Sequence, residues 1–536
     1  MFYWGSMNFK KYHLRYFFIA LVYLQSSFFM ISPAMAKSGE KSTTKKISKT
    51  LKTKPALAKS YHHYKQKKQN LPKSVTKLLK KYKIPEKNIS VYIRDLNSQT
   101  PLISHNAHIL RTPASTMKLL TTYAGLKALG PNYSWRTEVW FRGDLKDGVL
   151  KGDLIFKGFG DPFLVVENLW KLVKTLRDKG LKDIQGDIII DNSYFQQAPH
   201  NPSAFDKKPF RVYNAQSTAI MFNFQATRFL LKPILNEPFI KTGTTNKTKK
   251  KKSNLLGTVE IHPFPKMNEL KLDNQMKLVK GRCKRSHYNP KFSQQKDGTL
   301  TIKGNYSSKC KQRFILRAVS KPEQHIYNAF REIWLDLKGS LKGGLKIGRV
   351  SQTDERLHVY SSPTLGTQIR LINKWSNNVM TRQLLLTIGA KKFGAPGTVE
   401  KGRRALLSIL SENGIDTRGI SLENGSGLSR TAKISALQMA NILELAYRDA
   451  YMPEFLASLS LPGVDGTLVN RFRKDDLRGR SHLKTGTLDF ATAIAGYMLN
   501  RKGKRMVIVI QHNGKKTGAG RGIKIQDALL RWSFEQ

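Results

Sequence analysis

The sequence predicts a protein of the α/β (α+β) class, in which an antiparallel sheet flanked by helices is interrupted by a long, mostly β insertion. Residues 89–103 alternate apolar and polar side chains around a turn, which is typical of a β-hairpin. Residues 481–511 contain three similar short runs separated by tight turns. We therefore expect the early hairpin and the three late strands to complete one sheet, with the rest of the chain inserted between them.

Helices are predicted on both sides of this insertion. Apolar residues have helical spacing at 75–82, and Thr112-Pro113-Ala114 precedes a helix that begins at Ser115 and ends at Gly130-Pro131. An amphipathic helix is expected at 523–534. The remaining predicted helices are Leu365 to Asn373, Val379 to Ile388, Val399 to Asn413 and Ser435 to Asp449.

The predicted insertion covers residues 146–359 and divides the sheet-and-helix domain into segments 73–145 and 360–536. Short apolar runs such as Ile188-Ile189-Ile190 alternate there with Gly, Asp and Asn, a pattern typical of strands. We expect two mostly β domains in this region, the inner one at about 236–325.

The charge is extreme, because 93 basic residues against 37 acidic ones give a formal net charge of +56. Such a charge favours nucleic acid or an anionic surface as partner. Basic residues before an apolar run at 16–31, and the small residues Ala34-Met35-Ala36, are typical of a secretory signal peptide at 1–36. We therefore expect an exported, periplasmic protein cleaved near Ala36, with no nucleic acid partner. An uncleaved anchor, which would keep the protein on the membrane, is the alternative.

The segment 37–72 is rich in Lys, Ser and Thr, and Glu40 is its only acid. Such a segment buries too little apolar surface to fold, so we expect a disordered basic linker. It could contact anionic envelope polymers, although a plain solubilising linker is an equal alternative.

The two cysteines of the chain, Cys283 and Cys310, lie 27 positions apart. An oxidising compartment would let them pair in a disulfide, while two free thiols are the alternative. No cysteine and histidine cluster of the metal-binding type occurs in the sequence, so no metal is expected.

The first chemical motif is Ser115-Thr116-Met117-Lys118. A serine and a lysine three positions apart on a helix share one face. Burial would disfavour the ammonium form of Lys118, so its neutral amine could act as general base for the Ser115 hydroxyl. Alone, such a pair is more often an ordinary surface serine and lysine.

The second motif is Ser376-Asn377-Asn378, ahead of a predicted helix. Helix capping is the alternative explanation for these residues. In the catalytic interpretation the Ser376 hydroxyl passes a proton to the leaving amine, while the Asn378 amide binds the substrate's peptide carbonyl and the lysine.

The third motif, Lys484-Thr485-Gly486, lies on a predicted strand. Lys484 could hold a carboxylate electrostatically, Thr485 could hydrogen-bond it, and Gly486 would leave room for substrate along the strand. The N–H groups of Ser115 and Thr487 would form an oxyanion hole. A second copy of the tripeptide begins at Lys241, but it lies in a polar lysine run and precedes Ser376, so we reject it.

The three motifs in this order resemble those of penicillin-binding proteins and serine β-lactamases. The long separation of Ser115 from Ser376 is similar to that of the penicillin-binding protein 4 type of D-alanyl-D-alanine carboxypeptidase and endopeptidase, a class C low-molecular-mass penicillin-binding protein, over about residues 73–536. Asn424 departs from the Asp that this family commonly has. Further similar segments are Gly160-Asp161-Pro162, Gly186-Asp187, Asp191-Asn192-Ser193, Asn424 to Arg430 and Gly463 to Thr467.

The resemblance implies a transpeptidase-type domain in which Ser115 attacks the peptide bond before a terminal D-alanine, or a cross-link, in peptidoglycan peptides. Water would then hydrolyse the acyl-enzyme, with no metal or organic cofactor. β-Lactam antibiotics would be covalent inhibitors. By analogy with the family's substrate pocket, Arg430 and Asp191 are candidates for binding the charged ends of a diaminopimelate side chain. A structural ion pair for Arg430 and a turn cap for Asp191 are the alternatives.

The sequence leaves three functional choices open. Preference for carboxypeptidase or endopeptidase action depends on pocket shape. A serine β-lactamase would need a means of activating water for deacylation, which no motif clearly supplies. A catalytically idle, basic wall-binding protein is the third choice.

Overall fold

The computed structural model describes residues 70–235, 257–267, 270–515, 517 and 520–536. The expected signal peptide at 1–36, most of the linker at 37–72 and the rejected tripeptide at Lys241 lie outside the described residues. Of the helices that are described, none has the length and apolar character needed to cross a membrane.

The helices of the described residues, in chain order, are α1 (Lys73–Tyr82), α2 (Lys118–Leu129), α3 (Val166–Asp178), α4 (Pro322–Asp336), α5 (Leu365–Trp375), α6 (Asn378–Phe393), α7 (Val399–Glu412), α8 (Ala436–Arg448), α9 (Met452–Ala457) and α10 (Arg521–Phe534). The strands are β1 (Ile89–Asp95), β2 (Ile103–His105), β3 (Arg136–Lys146), β4 (Val149–Gly158), β5 (Asp183–Ile184), β6 (Ile188–Asp191), β7 (Thr227–Leu235), β8 (Gly257–Phe264), β9 (Leu272–Val279), β10 (Lys291–Gln294), β11 (Leu300–Ser307), β12 (Arg313–Arg317), β13 (Ser340–Leu341), β14 (Leu345–Ile347), β15 (Glu355–Ser361), β16 (Ser481–Leu488), β17 (Ala491–Leu499) and β18 (Arg505–Asn513).

Early and late strands form one antiparallel sheet in the order β16-β17-β18-β1-β2. The predicted fold class is therefore confirmed. Because side chains alternate along a strand, Val507 and Val509 of β18 join the core with α2 and α8, whereas Ile508 and Ile510 join the core with α1 and α10. The sheet is consequently covered by helices on both faces.

The outer part of the inserted region forms a seven-stranded mixed sheet. Its main order is β13-β5-β4-β3-β15, and β6 pairs with both β4 and β14. Helices α3 and α4 pack on this sheet around an apolar core of their own. The expectation of a mostly β region omitted these two helices, although Leu169, Leu172, Val173 and Leu176 of α3 are buried at helical spacing.

The inner part of the insertion contains two three-stranded sheets, ordered β12-β7-β8 and β10-β11-β9, around a further apolar core. Cys283 and Cys310 form a disulfide with a Cα to Cα distance of 4.8 Å. Cys310 is buried in this core, so the bridge fixes the loop after β9 against the end of β11.

A buried ion pair fixes the central sheet against α8. The Arg94 Nε of β1 donates a hydrogen bond of 3.0 Å to the Glu444 Oε1 of α8, and Arg94 Nη1 donates to the Ser98 carbonyl at 3.0 Å. Only 9% and 7% of the Arg94 and Glu444 side chains are exposed. Burial raises the pKa of Glu444, although the Arg94 charge partly opposes the increase. The two charges therefore depend on each other for stabilisation.

We predict that Glu444→Gln lowers the urea midpoint of unfolding, because it leaves the Arg94 guanidinium buried without a carboxylate. The expected loss is about 3 kcal/mol. The double variant Arg94→Met/Glu444→Leu should lose less stability, since neither charge then remains. Wild-type stability of Glu444→Gln, measured by urea denaturation and circular dichroism, would contradict this prediction.

Candidate active site

Ser115 and Lys118 lie at the start of α2. A single 3₁₀ turn at Ala114–Met117 continues directly into the helix, which places both side chains on one face. The distance from Lys118 Nζ to Ser115 Oγ is 3.1 Å. Lys118 is fully buried, whereas Ser115 is half-buried and therefore partly accessible to solvent.

Lys118 is held by oxygen atoms from two other parts of the chain. Its Nζ donates to Asn378 Oδ1 at 2.6 Å and to the Ser426 carbonyl at 2.5 Å. Burial is the largest cause that lowers the pKa of Lys118 well below its ordinary value, followed by the charges of Lys484 and Arg382. These causes favour a neutral amine.

The loop that supplies the Ser426 carbonyl is tightly folded. Asn424 Nδ2 donates to the Leu428 carbonyl at 2.8 Å, while its Oδ1 accepts from the Ser426 N–H at 3.0 Å. Gly427 has φ +76°, and a Cβ there would lie 1.9 Å from the Ala114 carbonyl oxygen. Asn424, which departs from the family pattern, thus both donates and accepts, whereas an ionised Asp could only accept.

The second motif joins α5 to α6. Ser376 adopts a left-handed conformation after α5, with φ 56° and ψ 40°. Asn377 caps α6, because its Oδ1 accepts from the N–H groups of Val379 and Met380 at 3.0 and 3.1 Å. Capping therefore uses the middle residue of the motif, and Asn378 contacts Lys118 instead.

The third motif meets the other two at strand β16. Lys484 Nζ donates to Ser376 Oγ at 2.9 Å and to the Thr485 carbonyl at 2.8 Å. Complete burial lowers the pKa of Lys484 to about 7. A Cβ on Gly486 would lie 2.8 Å from both the Pro113 carbonyl oxygen and the Ser115 nitrogen. Only glycine lets β16 approach the backbone of Ser115 this closely.

Sequence reasoning missed a third cation, Arg382, which lies on α6 one turn after Asn378. Its Nη2 donates to the Ala215 carbonyl at 2.5 Å, and its Nε is buried without a hydrogen-bond partner among the described residues. Burial lowers the pKa of Arg382 to about 10. The four-residue spacing from Asn378 is the signal that could have identified it.

The three cations of the site share one property. The hydrogen-bond partners of Lys118, Lys484 and Arg382 within the described part of the chain are hydroxyl, amide and carbonyl oxygens, with no carboxylate among them. The site is therefore positively charged wherever these groups are protonated, which suits an anionic ligand.

Arg430 is exposed beside this site. Its Nη2 donates to the Phe205 carbonyl at 3.1 Å, and the guanidinium lies 5.0 Å from the Phe205 ring and 5.7 Å from the ring of Phe490, two residues after β16. Sequence reasoning missed the contact with Phe205, because only the fold brings its loop to Arg430.

Asp191 lies elsewhere, at the end of β6 in the inserted sheet. It is fully buried, and its oxygens accept from the N–H groups of Ser193 and Val350 at 2.9 and 3.0 Å. Lys157 Nζ lies 3.7 Å from Oδ2. This placement argues against the expected substrate contact of Asp191, because both carboxylate oxygens are already used inside the fold. It agrees with the alternative of a turn cap.

Comparison with known proteins finds D-alanyl-D-alanine carboxypeptidases among the proteins to which the chain is similar. The chain is 27% identical over 454 residues to a D-alanyl-D-alanine carboxypeptidase of Actinomadura sp. (strain R39), covering 82% of this chain and 80% of that protein. It is 24% identical over 447 residues to the D-alanyl-D-alanine carboxypeptidase DacB of Haemophilus influenzae, covering 81% and 88%. Its fold is similar to the crystal structure of penicillin binding protein 4 from Haemophilus influenzae, with a TM-score of 0.71, 22% identity and coverage of 86% and 99%.

A family match spans residues 71–536, which include all three motifs and the whole inserted region. The resemblance drawn from the motifs and from their separation is therefore confirmed. The chain belongs to the D-Ala-D-Ala carboxypeptidase 3 (S13) family.

Proposed function

We propose that this protein is a serine D-alanyl-D-alanine carboxypeptidase and D,D-endopeptidase that hydrolyses peptidoglycan stem peptides and cross-links. The observation that carries the proposal is the contact of 3.1 Å between Ser115 Oγ and the buried Lys118 Nζ. Family membership supplies the reaction class.

Lys118 is the general base in this mechanism. A neutral lysine amine has two N–H groups and one lone pair. The two N–H groups of Lys118 donate to Asn378 Oδ1 and to the Ser426 carbonyl oxygen, so the lone pair faces Ser115. The amine takes the Ser115 proton as Oγ attacks the carbonyl carbon of the penultimate D-alanine. The N–H groups of Ser115 and Thr487 stabilise the resulting oxyanion.

Ser376 and Lys484 complete the proton path. Lys484 Nζ contacts Ser376 Oγ at 2.9 Å, so the Lys484 ammonium can donate a proton through this hydroxyl to the leaving amine. The amine departs as D-alanine or as the amino end of a cross-linked peptide, which leaves an ester on Ser115, a protonated Lys118 and a neutral Lys484. Water then attacks the ester carbonyl and gives a proton through Ser376 to Lys484, while Lys118 returns its proton to Ser115 Oγ as the acid is released. Apart from the substrate and water, each step uses side chains and backbone of this chain, and the proposed mechanism needs no cofactor.

Substrate contacts extend from strand β16. Thr485 hydrogen-bonds the terminal carboxylate, Lys484 attracts it, and Gly486 and Thr487 border the bound peptide along the strand. Arg430 binds a charged end of the diaminopimelate side chain. Its exposure supports this role. For Asp191, the contacts described above favour a structural role instead.

A serine β-lactamase is the nearest alternative enzyme. Penicillins would acylate Ser115 in either case, and rapid release would need a carboxylate or similar group to activate water. Among the described contacts of Ser115, Lys118 and Ser376, every partner is a hydroxyl, amide, amine or carbonyl group. This favours a long-lived penicilloyl enzyme, in which β-lactams act as covalent inhibitors.

The proposal includes a location and a division of the chain. Residues 1–36 are a cleaved signal peptide, and residues 37–72 are a basic linker that contacts anionic envelope polymers in the periplasm. The borders expected from the sequence place segments 73–145 and 360–536 in the catalytic domain and 146–359 in two inserted domains, the inner one at about 236–325. Strand pairing moves two of these borders, because β3 (Arg136–Lys146) pairs with β4 in the outer inserted sheet and β7 (Thr227–Leu235) pairs with β8 and β12 in the inner part. The separate apolar cores within the insertion support two domains.

We predict that Ser115→Ala abolishes both labelling by fluorescent penicillin and cleavage of purified cross-linked muropeptides. Mass spectrometry of the products will distinguish release of D-alanine from separation of cross-linked peptides. Ser411→Ala, at an exposed serine near the end of α7, is the matched control and should keep both activities. Labelling that persists in Ser115→Ala would refute the assignment of the nucleophile.

We predict that Gly486→Ala reduces penicillin acylation by about 100-fold or more, because the new Cβ would push β16 away from Ser115 and open the oxyanion hole. Gly344→Ala is the matched control, since a Cβ added there would have no atom within 4 Å. Stopped-flow measurement of the acylation rate would test the prediction. Equal rates in the two variants would contradict it.

The acylation rate should depend on the protonation of Lys118. A general base must be neutral, so acylation is present above the pKa of Lys118 and is lost as the pH falls through it. Arg382→Gln removes a positive charge that lowers this pKa. We predict that the acid limb of the pH profile for acylation moves to higher pH, so that acylation on that limb is slower than in the unmodified protein at the same pH.

Arg382→Lys keeps a positive charge near Lys118 and serves as the control for this pH experiment. Its acid limb should stay close to that of the unmodified protein. If the profiles of Arg382→Gln and Arg382→Lys coincide, Arg382 does not influence the protonation of Lys118.

A further inference from the structure

The segment between α9 and β16, residues 460–468, lies against the strand that carries the third motif. Ser460 and Leu483 exchange two backbone hydrogen bonds of 3.0 and 2.9 Å. The segment then turns away through Gly463 and returns at Thr467. It includes the Gly463 to Thr467 sequence, to which the mechanism above gives no role.

Thr467 places a second hydroxyl beside that of Thr485. The Thr485 hydroxyl donates to Thr467 Oγ1 at 2.8 Å. Thr467 is exposed and Thr485 is half-buried, so a ligand that reaches one hydroxyl also reaches the other. Two adjacent hydroxyls suit the two oxygens of a carboxylate, and each can turn its hydrogen towards the ligand.

An ion pair fixes this segment to the end of α5. Lys374 Nζ lies 2.5 Å from Asp465 Oδ2, and Asp465 Oδ1 accepts from the Leu461 N–H at 2.9 Å. Lys374 is two positions before Ser376, so the pair connects the segment to the second motif as well as to β16.

The turn at Gly466 leaves little freedom for Thr467. Gly466 has φ +56°, and a Cβ there would lie 2.3 Å from Ser460 Oγ and 2.9 Å from the Lys374 carbonyl oxygen. The backbone of the segment therefore packs directly on both Ser460 and the end of α5. Thr467 follows this turn, and its position depends on the packing.

We propose that Thr467 is a second hydroxyl in the site for the substrate's terminal carboxylate, and that the Lys374 and Asp465 ion pair is its positioning device. This inference rests on the proposed function and deepens it. In the free protein the Thr485 hydroxyl donates to Thr467. When substrate binds, both hydroxyls donate to the carboxylate, whose charge is further balanced by Lys484.

The test uses two D-alanyl thioesters, one ending in a free carboxylate and the other in the corresponding methyl ester. Thr467→Val should lower kcat/KM for the acid by about tenfold, the effect expected for one hydrogen bond to a charged group. The methyl ester should be affected much less. Thr467→Ser keeps a hydroxyl and should retain most of the activity with the acid.

The positioning role has a separate readout. Asp465→Asn and Lys374→Met should each lower the ratio of kcat/KM for the acid to that for the ester, and Lys374→Arg should restore it. Equal losses with both substrates would show that the ion pair is only structural and would overturn this part of the inference.

Failure of the inference can be distinguished from failure of the proposed function. If thioester cleavage by the unmodified protein requires Ser115 but Thr467→Val keeps full kcat/KM for the acid, the inference about Thr467 is wrong and the proposed function stands. If the unmodified protein cleaves neither thioester, or if Ser115→Ala cleaves them as well, the proposed function itself fails.

Discussion

The structure of the site depends on burying the amine of Lys118 with no carboxylate among its partners in the described part of the chain. Removing a charged amine from water is expensive unless the group is neutral or well hydrogen-bonded. This protein combines both solutions, since burial and, after it, the neighbouring cations disfavour the ammonium form, and three oxygens surround the nitrogen. Those oxygens come from the helix start at Ser115, from α6 and from the loop at 424–428. The packing of these segments against one another is therefore a requirement of the chemistry.

The central sheet provides the rigid support for this arrangement. Strand β16 places the Lys484 amine in contact with the Ser376 hydroxyl, and the absence of a side chain at Gly486 lets the strand lie close to Ser115. Helices cover both faces of the sheet, and the ion pair between Arg94 and Glu444 fixes β1 to α8. The inserted region has its own cores, but it also reaches the site, since the Ala215 carbonyl accepts from Arg382.

Local patterns predicted the parts of the molecule that depend on local geometry. Strand alternation and helical spacing identified the central sheet and its helices, and three short motifs identified the residues that meet at Ser115. Such patterns do not predict contacts between residues that are distant in the sequence. Arg382 acts through a charge near Lys118, Phe205 is brought to Arg430 by loop folding, and Asp191 has a motif-like setting yet uses its oxygens inside the inserted sheet. Helices α3 and α4 were missed because short apolar runs around them dominated the pattern.

The register of the central sheet also has a consequence for how the protein folds. Ile89 of β1 lies opposite His512 of β18, so almost the whole described chain must be present before these strands can pair. Closing so long a loop is entropically unfavourable, and topologies with such distant contacts fold slowly. Lys484 reaches Ser376 only when the last strands have joined the first. The reactive serine therefore acquires its full set of partners at the end of folding, and a partly synthesised chain has no fully assembled active site.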